Sequence, residues 1–416
     1  MRVAVVGGGM AGLSAALTLL DRGADPTVFE ASPRPGGKVG TTREQGWLTE
    51  DGPNFLARPL DAFLTRVGLG GDVVPAAGPK TRWVHLGGRV LRAPSPALLA
   101  RLNLPRALLE PFFARKLVED RPLLDLLVAR LGTRTGSLAA RVLAAGVYAG
   151  DPALLSARDA FPSLGAIAAR GSLLLGSRGA PPRTPTWSLR GGLGSLADAA
   201  ARILGGRIRL GARVASLRAR AGGFLVGGES FDAAVVAVPA GAAAALLEET
   251  APAFAQAMDG ETSATVSVVH LGFPASDLPR GFGIIDADGS LNALGTLFPS
   301  SMLPGRAPEG FALATAIVGG ATHPERAQPP DNELVGNVVS DLRRLLGVRS
   351  RPVYRRIVRW AEGIPQVAPG HRERIAAARA ALAGFPRLAV AGAAYDGVSV
   401  PEVIASGARA GLQVIA

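Results

Sequence analysis

Arg2-Val-Ala-Val-Val6, Gly7-Gly-Gly-Met-Ala-Gly12, the apolar stretch Leu13 to Leu20, and Thr27-Val-Phe29 closing on Glu30 decide the fold. The order is strand, glycine turn, helix, strand, acid, the first half of a dinucleotide-binding unit. Gly7 permits the tight turn, Gly9 lets backbone approach a pyrophosphate, and Gly12 lets helix and strand pack closely. Gly8, Met10 and Ala11 complete the turn. The free N–H groups of the helix start, aided by the helix dipole, suit an anion. Glu30 follows Gly12 by 18 residues, near the ~20 expected of an acid that accepts from a ribose hydroxyl.

Working outward, 416 residues suggest two or three domains, or two interleaved ones. With no Cys there is no disulfide, thiolate site or cysteine nucleophile. The four histidines, His85, His270, His323 and His371, are not at ligand spacing, so no metal site is expected. Net charge is +12, and Lys38, Lys80 and Lys116 are the only lysines. The Arg excess has two readings: codon bias, or an acidic partner such as an anionic substrate or membrane surface. Scattered arginines and 5% aromatics argue against nucleic acid. The chain enters a strand at once, so no signal peptide is expected, and no apolar stretch is long enough to span a bilayer.

A second glycine-rich loop follows Glu30. Arg34 and Lys38 can bring charge to a phosphate or an electron-rich ring, and Gly36-Gly37 lets backbone come close. Gly52-Pro53-Asn54-Phe55 is a turn before a helix over Leu60 to Val67. Thr81 to Leu86 and Arg89 to Leu91 read as a hairpin. Pro94 to Leu131 reads as short amphipathic helices broken at Pro105, Pro111 and Pro122. Gly146 to Asp151 is a compact turn, and Gly176 to Pro185 a loop. A helix runs from Leu193 to Leu204, with Ser195 as its cap. Val214 to Ala219 and Phe231 to Val238 read as strands, and Ala233 to Leu247 as a strand into a helix. Thr265 to Leu271 alternates, as a strand with one solvent-facing or ligand-facing side does. Later strands suggest a largely antiparallel sheet, with an amphipathic helix over Glu333 to Leu346. Leu388 to Gly392 is a strand, Ala393 to Pro401 a loop, and Val403 to Ile415 a closing helix.

Several motifs now carry a resemblance. The Arg34-Pro-Gly-Gly-Lys38 loop resembles that of the flavin-dependent amine oxidase and protoporphyrinogen oxidase superfamily. Gly146-Val-Tyr-Ala-Gly-Asp-Pro152, Ser188-Leu-Arg-Gly-Gly192, Gly281-Phe-Gly283, Gly295-Thr-Leu-Phe298, Ile364-Pro-Gln366 and Ala391 to Pro401 resemble the oxygen-dependent protoporphyrinogen oxidase family. The resemblance, not the spacing, chooses FAD over NAD. It implies an α/β fold: a Rossmann-like FAD-binding domain (p-hydroxybenzoate-hydroxylase-like), a mixed, largely antiparallel substrate domain and a small helical membrane-binding domain. The expected parts are 1–80 with 186–248 and 385–416, then 81–93 with 249–384, then 94–185.

By resemblance, the cofactor contacts are Gly7 to Gly12, Glu30, Arg34, Gly37, Lys38, Gly52, Pro53, Asn54, Phe55, Val214, Ala393, Val398, Ser399 and Val400. Val214 meets the adenine side, and Val398 to Val400 the isoalloxazine ring. Arg82 matches the arginine that holds a propionate. Ile285 and Leu297 match ring-sandwiching positions, and Gly146 and Gly150 a turn beside the substrate. Ile317 stands where many relatives carry an aromatic. No catalytic side chain is assigned. The implied reaction is six-electron oxidation of protoporphyrinogen IX by hydride transfer to FAD, with dioxygen reduced to hydrogen peroxide, in the cytoplasm or peripherally on its membrane. Open alternatives are coproporphyrinogen III as substrate, another flavin amine oxidase or desaturase, and a flavoprotein scaffold without turnover. The next heme-pathway enzyme is a further expected partner.

Overall fold

The computed structural model describes residues 1–177 and 185–416. The strand Arg2–Val6 is the centre of a five-stranded parallel sheet. Across the sheet the order is Leu388–Val390, Ala233–Val236, Arg2–Val6, Asp25–Phe29 and Ile208–Arg209. Central strands buried on both faces need no polar alternation, and Ala233 to Val236 are fully inaccessible. Val3, Val5 and Val235 face the helices Met10–Asp21 and Val400–Gln413. Ala4, Val6 and Val236 face a second cluster containing Phe254, Ile375 and Ala378.

Those last residues belong to the helices Pro252–Ala257 and His371–Ala381. The expected division put all of 249–384 with the second sheet, yet these two helices cover the parallel one. An amphipathic helix carries no sequence mark of which sheet it will cover, so the boundary was invisible.

The second sheet has seven strands, in the order Tyr354–Pro365, Ser263–Pro274, Phe311–Gly319, Ala293–Leu297, Gly283–Asp286, Arg82–Leu86 and Arg89–Ala93. Neighbours are antiparallel except Gly283–Asp286 with Arg82–Leu86. One face, with Val269, Ile284 and Ala316, packs under the amphipathic helix Asp331–Leu346 through Leu334, Val338 and Leu342. The side of Thr265 to Leu271 expected to face solvent or a ligand is closed to solvent, and Val268 on that side pairs with Ile317. The strand is buried from Val266 to Phe273, because the hairpin Thr41–Glu44 and Trp47–Glu50 reaches its other face at His270.

Between the two sheets' segments lie short helices, among them Leu104–Leu108, Glu110–Phe113, Leu123–Leu131 and Thr133–Tyr148. Pro105 and Pro111 start helices and do not break them, and Pro122 is the residue just before one. A first-turn proline lacks only an N–H that has no partner there anyway. Gly146 lies inside Thr133–Tyr148, and the turn itself is made by Ala149, at φ 47°, and Gly150. Of the expected loop from Gly176 to Pro185, residues 178–184 lie outside the described residues. Ser195 is the first residue of its helix, preceded by Gly194, with no side-chain cap. Val214 precedes the strand Leu217–Arg220 and lies outside it. The expected loop from Ala393 contains the helix Ala393–Asp396, and the closing helix already begins at Val400. Among the described residues no helix is long and apolar enough to cross a membrane.

Candidate cofactor and substrate site

The first glycine turn is shaped by backbone contact. A Cβ on Gly7 (φ 105°) would strike the Ala237 carbonyl, and one on Gly12 would strike the Gly7 carbonyl. A Cβ on Gly9 would meet no described atom within 4 Å. Gly7 and Gly12 are therefore glycines for the fold, while Gly9 borders open space. The helix Met10–Asp21 begins there without a capping side chain. Its first N–H groups, from Met10, Ala11 and Gly12, have no intrahelical acceptor and face that space with the positive end of the dipole. Glu30 sits beside the turn, where Gly8 N–H donates to Oε2 at 2.7 Å and Ser32 N–H to Oε1 at 2.7 Å. Oε1 also accepts from the Ser32 hydroxyl, so Oε2 is the oxygen that keeps a lone pair for a further hydroxyl. Ala212 N–H donates to the Glu30 carbonyl at 2.8 Å, which brings Val214 to the same end of the sheet. Val214 and Val238 are both partly buried against the same core cluster.

The second glycine loop folds back onto the first. Gly36 N–H donates to the Gly8 carbonyl at 2.8 Å, and a Cβ on Gly37 would lie 3.2 Å from Gly9 Cα. Arg34 pairs within the protein, with part of its side chain still exposed. Its Nη2 donates to Asp51 Oδ2 at 2.5 Å and to the Gly37 carbonyl at 3.1 Å. It clamps the loop. Lys38 is half-buried, and burial lowers its pKa against the opposing charge of Glu362.

The turn from Gly52 lies against this loop, since a Cβ on Gly52 would lie 2.6 Å from the Lys38 carbonyl oxygen. Asn54 is buried and donates to the Gly52 carbonyl at 3.2 Å. The closing helix starts nearby. Ser399 caps it and shares Glu402 Oε2 through its own N–H at 3.1 Å and hydroxyl at 2.6 Å. Gly407 packs on the Ala11 carbonyl and Gly411 on that of Ala15, so this helix and Met10–Asp21 run side by side. Val398 packs toward the helical segment with Tyr148 and Leu155, and Ala393 opens the short helix between.

The positions expected to meet substrate converge by strand register. Ile285 pairs with Gly295, and Gly295 with Ile317. Arg82 pairs with Gly283, Gly283 with Leu297, and Leu297 with Thr315. Paired residues share a face, as do residues two apart. Arg82, Ile285, Leu297 and Ile317 therefore occupy one face, opposite the side under Asp331–Leu346. Ile285, Leu297 and Ile317 stay half-exposed and Arg82 exposed. A Cβ on Gly146, across from this face, would lie 3.7 Å from Ile285 Cδ1. Gly150 is buried and packs on Leu155 and Gln366. Phe55, from the cofactor turn, stacks on Phe282 at this end of the sheet.

A buried polar network joins the two sheets' segments. Glu50 accepts from Leu193 N–H at 3.0 Å and from the Thr41 hydroxyl at 2.5 Å, with Arg306 at 3.5 Å. Burial pushes Glu50 up to about 7, though Arg306 opposes this. His270 Nε2 contacts the Glu50 carbonyl at 3.0 Å, and burial and the charge of Arg356 lower its pKa to about 3. Away from this network, His85, Asp286 and Asp288 come together, a group the spacing of histidines could not show. Their carboxylates already accept N–H groups from Leu291, Gly87 and Ser290, which closes a turn.

This geometry is that of a known family. Flavin containing amine oxidoreductases match residues 10–415. The chain belongs to that family. It is 28% identical to the chloroplastic protoporphyrinogen oxidase of Nicotiana tabacum, over 96% of this chain and 83% of the relative. It is 31% identical to the coproporphyrinogen III oxidase of Propionibacterium freudenreichii, over 99% and 90%. The crystal structure of a candidate protoporphyrinogen oxidase from Exiguobacterium sp. 255-15 superposes with a TM-score of 0.87 at 25% identity, covering 99% and 98%.

As a member of the flavin containing amine oxidoreductases, the chain takes FAD. The residues fit it: an open cradle at Gly9, uncapped helix N–H groups, and the Glu30 Oε2 with a lone pair to spare. Sequence reasoning missed Val238, Asp51, Phe282 and Gly295 as parts of this region. Phe282 and Gly295 lie inside quoted motifs, so their signal was present. Asp51 had no signal, because both its guanidinium partners are distant or were assigned elsewhere.

Proposed function

We propose that this chain oxidises protoporphyrinogen IX to protoporphyrin IX, removing six electrons in three two-electron steps, with three dioxygen molecules reduced to three hydrogen peroxide. What carries the reading is the single sheet face that gathers Arg82, Ile285, Leu297 and Ile317 beside the cofactor turn. Gly7 to Gly12 and Glu30 would hold the pyrophosphate and ribose, Val214 the adenine side, and Lys38, Gly52 to Phe55, Ala393 and Val398 to Val400 the flavin side. Bound there, FAD supplies the two-electron acceptor chemistry. The residues of the chain bind and orient. A porphyrinogen is a broad apolar ring with anionic arms. The half-exposed Ile285, Leu297 and Ile317 offer it an apolar wall, and Gly146 leaves room opposite. Arg82 meets a propionate, a charge-assisted contact worth about 1.5–3 kcal/mol. The buried flanks keep water from the reacting carbon. No side chain is assigned as base.

Coproporphyrinogen III is the second reading, favoured by the 31% identity to a coproporphyrinogen III oxidase. It carries two more propionates. A location in the cytoplasm, peripheral on an anionic membrane, and contact with the next heme-pathway enzyme complete the proposal. The exposed Leu108, Phe112 and Val118 support the membrane contact. The test is aerobic growth of porphyrin fluorescence with each porphyrinogen in parallel, against an autoxidation blank. Turnover of either supports oxidation, and the faster one names the substrate. A flavin spectrum without turnover of either overturns the reading.

A further inference from the structure

Gly281, Phe282 and Gly283 form a bracket at one end of the substrate-facing sheet. A Cβ on Gly281 would enter the Trp83 ring, and one on Gly283 would lie 2.5 Å from the Thr296 carbonyl oxygen. Each flank therefore needs glycine, and the residue between them is held in place. Phe282 N–H donates to the Thr81 carbonyl at 2.8 Å, and Phe298 N–H to the Phe282 carbonyl at 3.1 Å.

The Phe282 ring has two partners. Phe55 stacks on it with centroids 5.4 Å apart and planes 27° from parallel. The Arg82 guanidinium carbon lies 4.4 Å from its centroid. Phe282 thus touches both the Phe55 ring, from the turn after Gly52, and the Arg82 guanidinium. No carboxylate among the described residues pairs with Arg82 within 4.0 Å.

We propose that Phe282, backed by Phe55, is a positioning residue that holds the Arg82 guanidinium ready for a substrate carboxylate. The proposal rests on the reading that a propionate reaches Arg82. A guanidinium on a ring face keeps its N–H edges free, and two parallel N–H groups match a carboxylate. Ordering the long side chain in advance also removes part of the cost of ordering it on binding. This gives the Gly281-Phe-Gly283 motif a physical task. The glycines shape the backbone, and the ring carries the cation.

The test uses holoenzyme at matched flavin occupancy, with porphyrinogen oxidation read by fluorescence. Phe282→Leu removes the ring but keeps an apolar side chain. It is expected to raise KM about two- to five-fold, the range a ring face gives an exposed cation, with kcat little changed. Phe282→Tyr keeps the ring and is expected to restore KM. Arg82→Lys keeps the charge but not the flat fork, and is expected to behave nearly as Arg82→Ala. In the Arg82→Ala background, Phe282→Leu should add almost nothing. If Arg82→Ala raises KM while Phe282→Leu does not, the positioning role is wrong and the substrate reading stands. If Phe282→Tyr is as impaired as Phe282→Leu, packing and not stacking is responsible, and the proposal is overturned. If Arg82→Ala leaves KM unchanged, the reading of Arg82 itself fails, and the positioning role with it.

Discussion

Asp51 holds Arg34 at 2.5 Å, and the same carboxylate takes Arg356 Nη2 at 2.6 Å through its other oxygen. Arg34 belongs to the loop that closes on Gly9, and Arg356 to an outer strand of the seven-stranded sheet. One buried carboxylate thus ties the cofactor loop to the substrate sheet.

Replacing Asp51 by Asn should therefore loosen the loop before it loosens the core. A hydrogen bond to a charged group is worth about 1.5–3 kcal/mol, and two are weakened at once. The expected result is FAD binding about tenfold or more weaker, measured by flavin fluorescence on titrating apoprotein. FAD affinity equal to that of the parent would remove Asp51 from this role.

Gly9 and Gly12 should respond in opposite ways. Gly12→Ala puts a methyl into the Gly7 carbonyl, so the apoprotein itself should lose several degrees of Tm. Gly9→Ala meets no described atom within 4 Å, so apoprotein Tm should change little. The same methyl enters the space proposed for the pyrophosphate, so FAD affinity should fall at least tenfold. Thermal unfolding of both apoproteins, with FAD titration, checks the pair. A Gly9→Ala protein that binds FAD normally would move the pyrophosphate elsewhere.

This contrast also shows what was legible in the sequence. Gly7 to Gly12 and Glu30 lie within thirty residues of one another, so spacing alone picks out the turn and the acid whose side chain accepts from it. Ile285 and Ile317 meet through the intervening Gly295, a register no spacing reveals, and the family resemblance supplied them. The pairing of Arg34 was not legible, because its partner Asp51 lies beyond a second loop. A charged residue near a glycine loop reads as a ligand-binding cation until its counter-ion is known. The helices Pro252–Ala257 and His371–Ala381 were misassigned for a similar reason. Amphipathicity says that a helix has a buried face, not what buries it.

Glu50 and His270 should give the stability a pH dependence that largely cancels. Buried Glu50 keeps its proton up to about 7, against an ordinary 4.5. The unfolded chain releases that proton first, so this contribution is full below about 4.5 and is lost as pH rises through 7. His270 is held neutral down to about 3, against an ordinary 6.5. The unfolded chain binds that proton first, so its contribution is full above 6.5 and is lost as pH falls toward 3. Between 4.5 and 6.5 the two slopes oppose. Glu50→Gln should unmask the histidine slope, with Tm rising from pH 5 to pH 6.5 where the parent is nearly flat. Thermal melts across that range decide it. An unchanged profile would mean that Glu50 is already ionised at pH 5.

The helical segment offers the last prediction. Leu108 is 69% exposed, Phe112 86% and Val118 84%. Arg106, Arg115, Lys116 and Arg121 stand among them, and the Arg106 guanidinium rests on Phe113 at 4.0 Å. Apolar tips ringed by cations suit an anionic bilayer surface, where burying one such side chain contributes about 1.5–3 kcal/mol. The protein should sediment with phosphatidylglycerol-rich vesicles at low salt and less at high salt, because the cations act within a Debye length. Phe112→Ser with Val118→Ser should weaken vesicle binding about tenfold or more while leaving oxidation of dissolved substrate unchanged, since neither residue lies near the sheet face that holds Arg82. No sedimentation at low salt would return the segment to an ordinary helical surface.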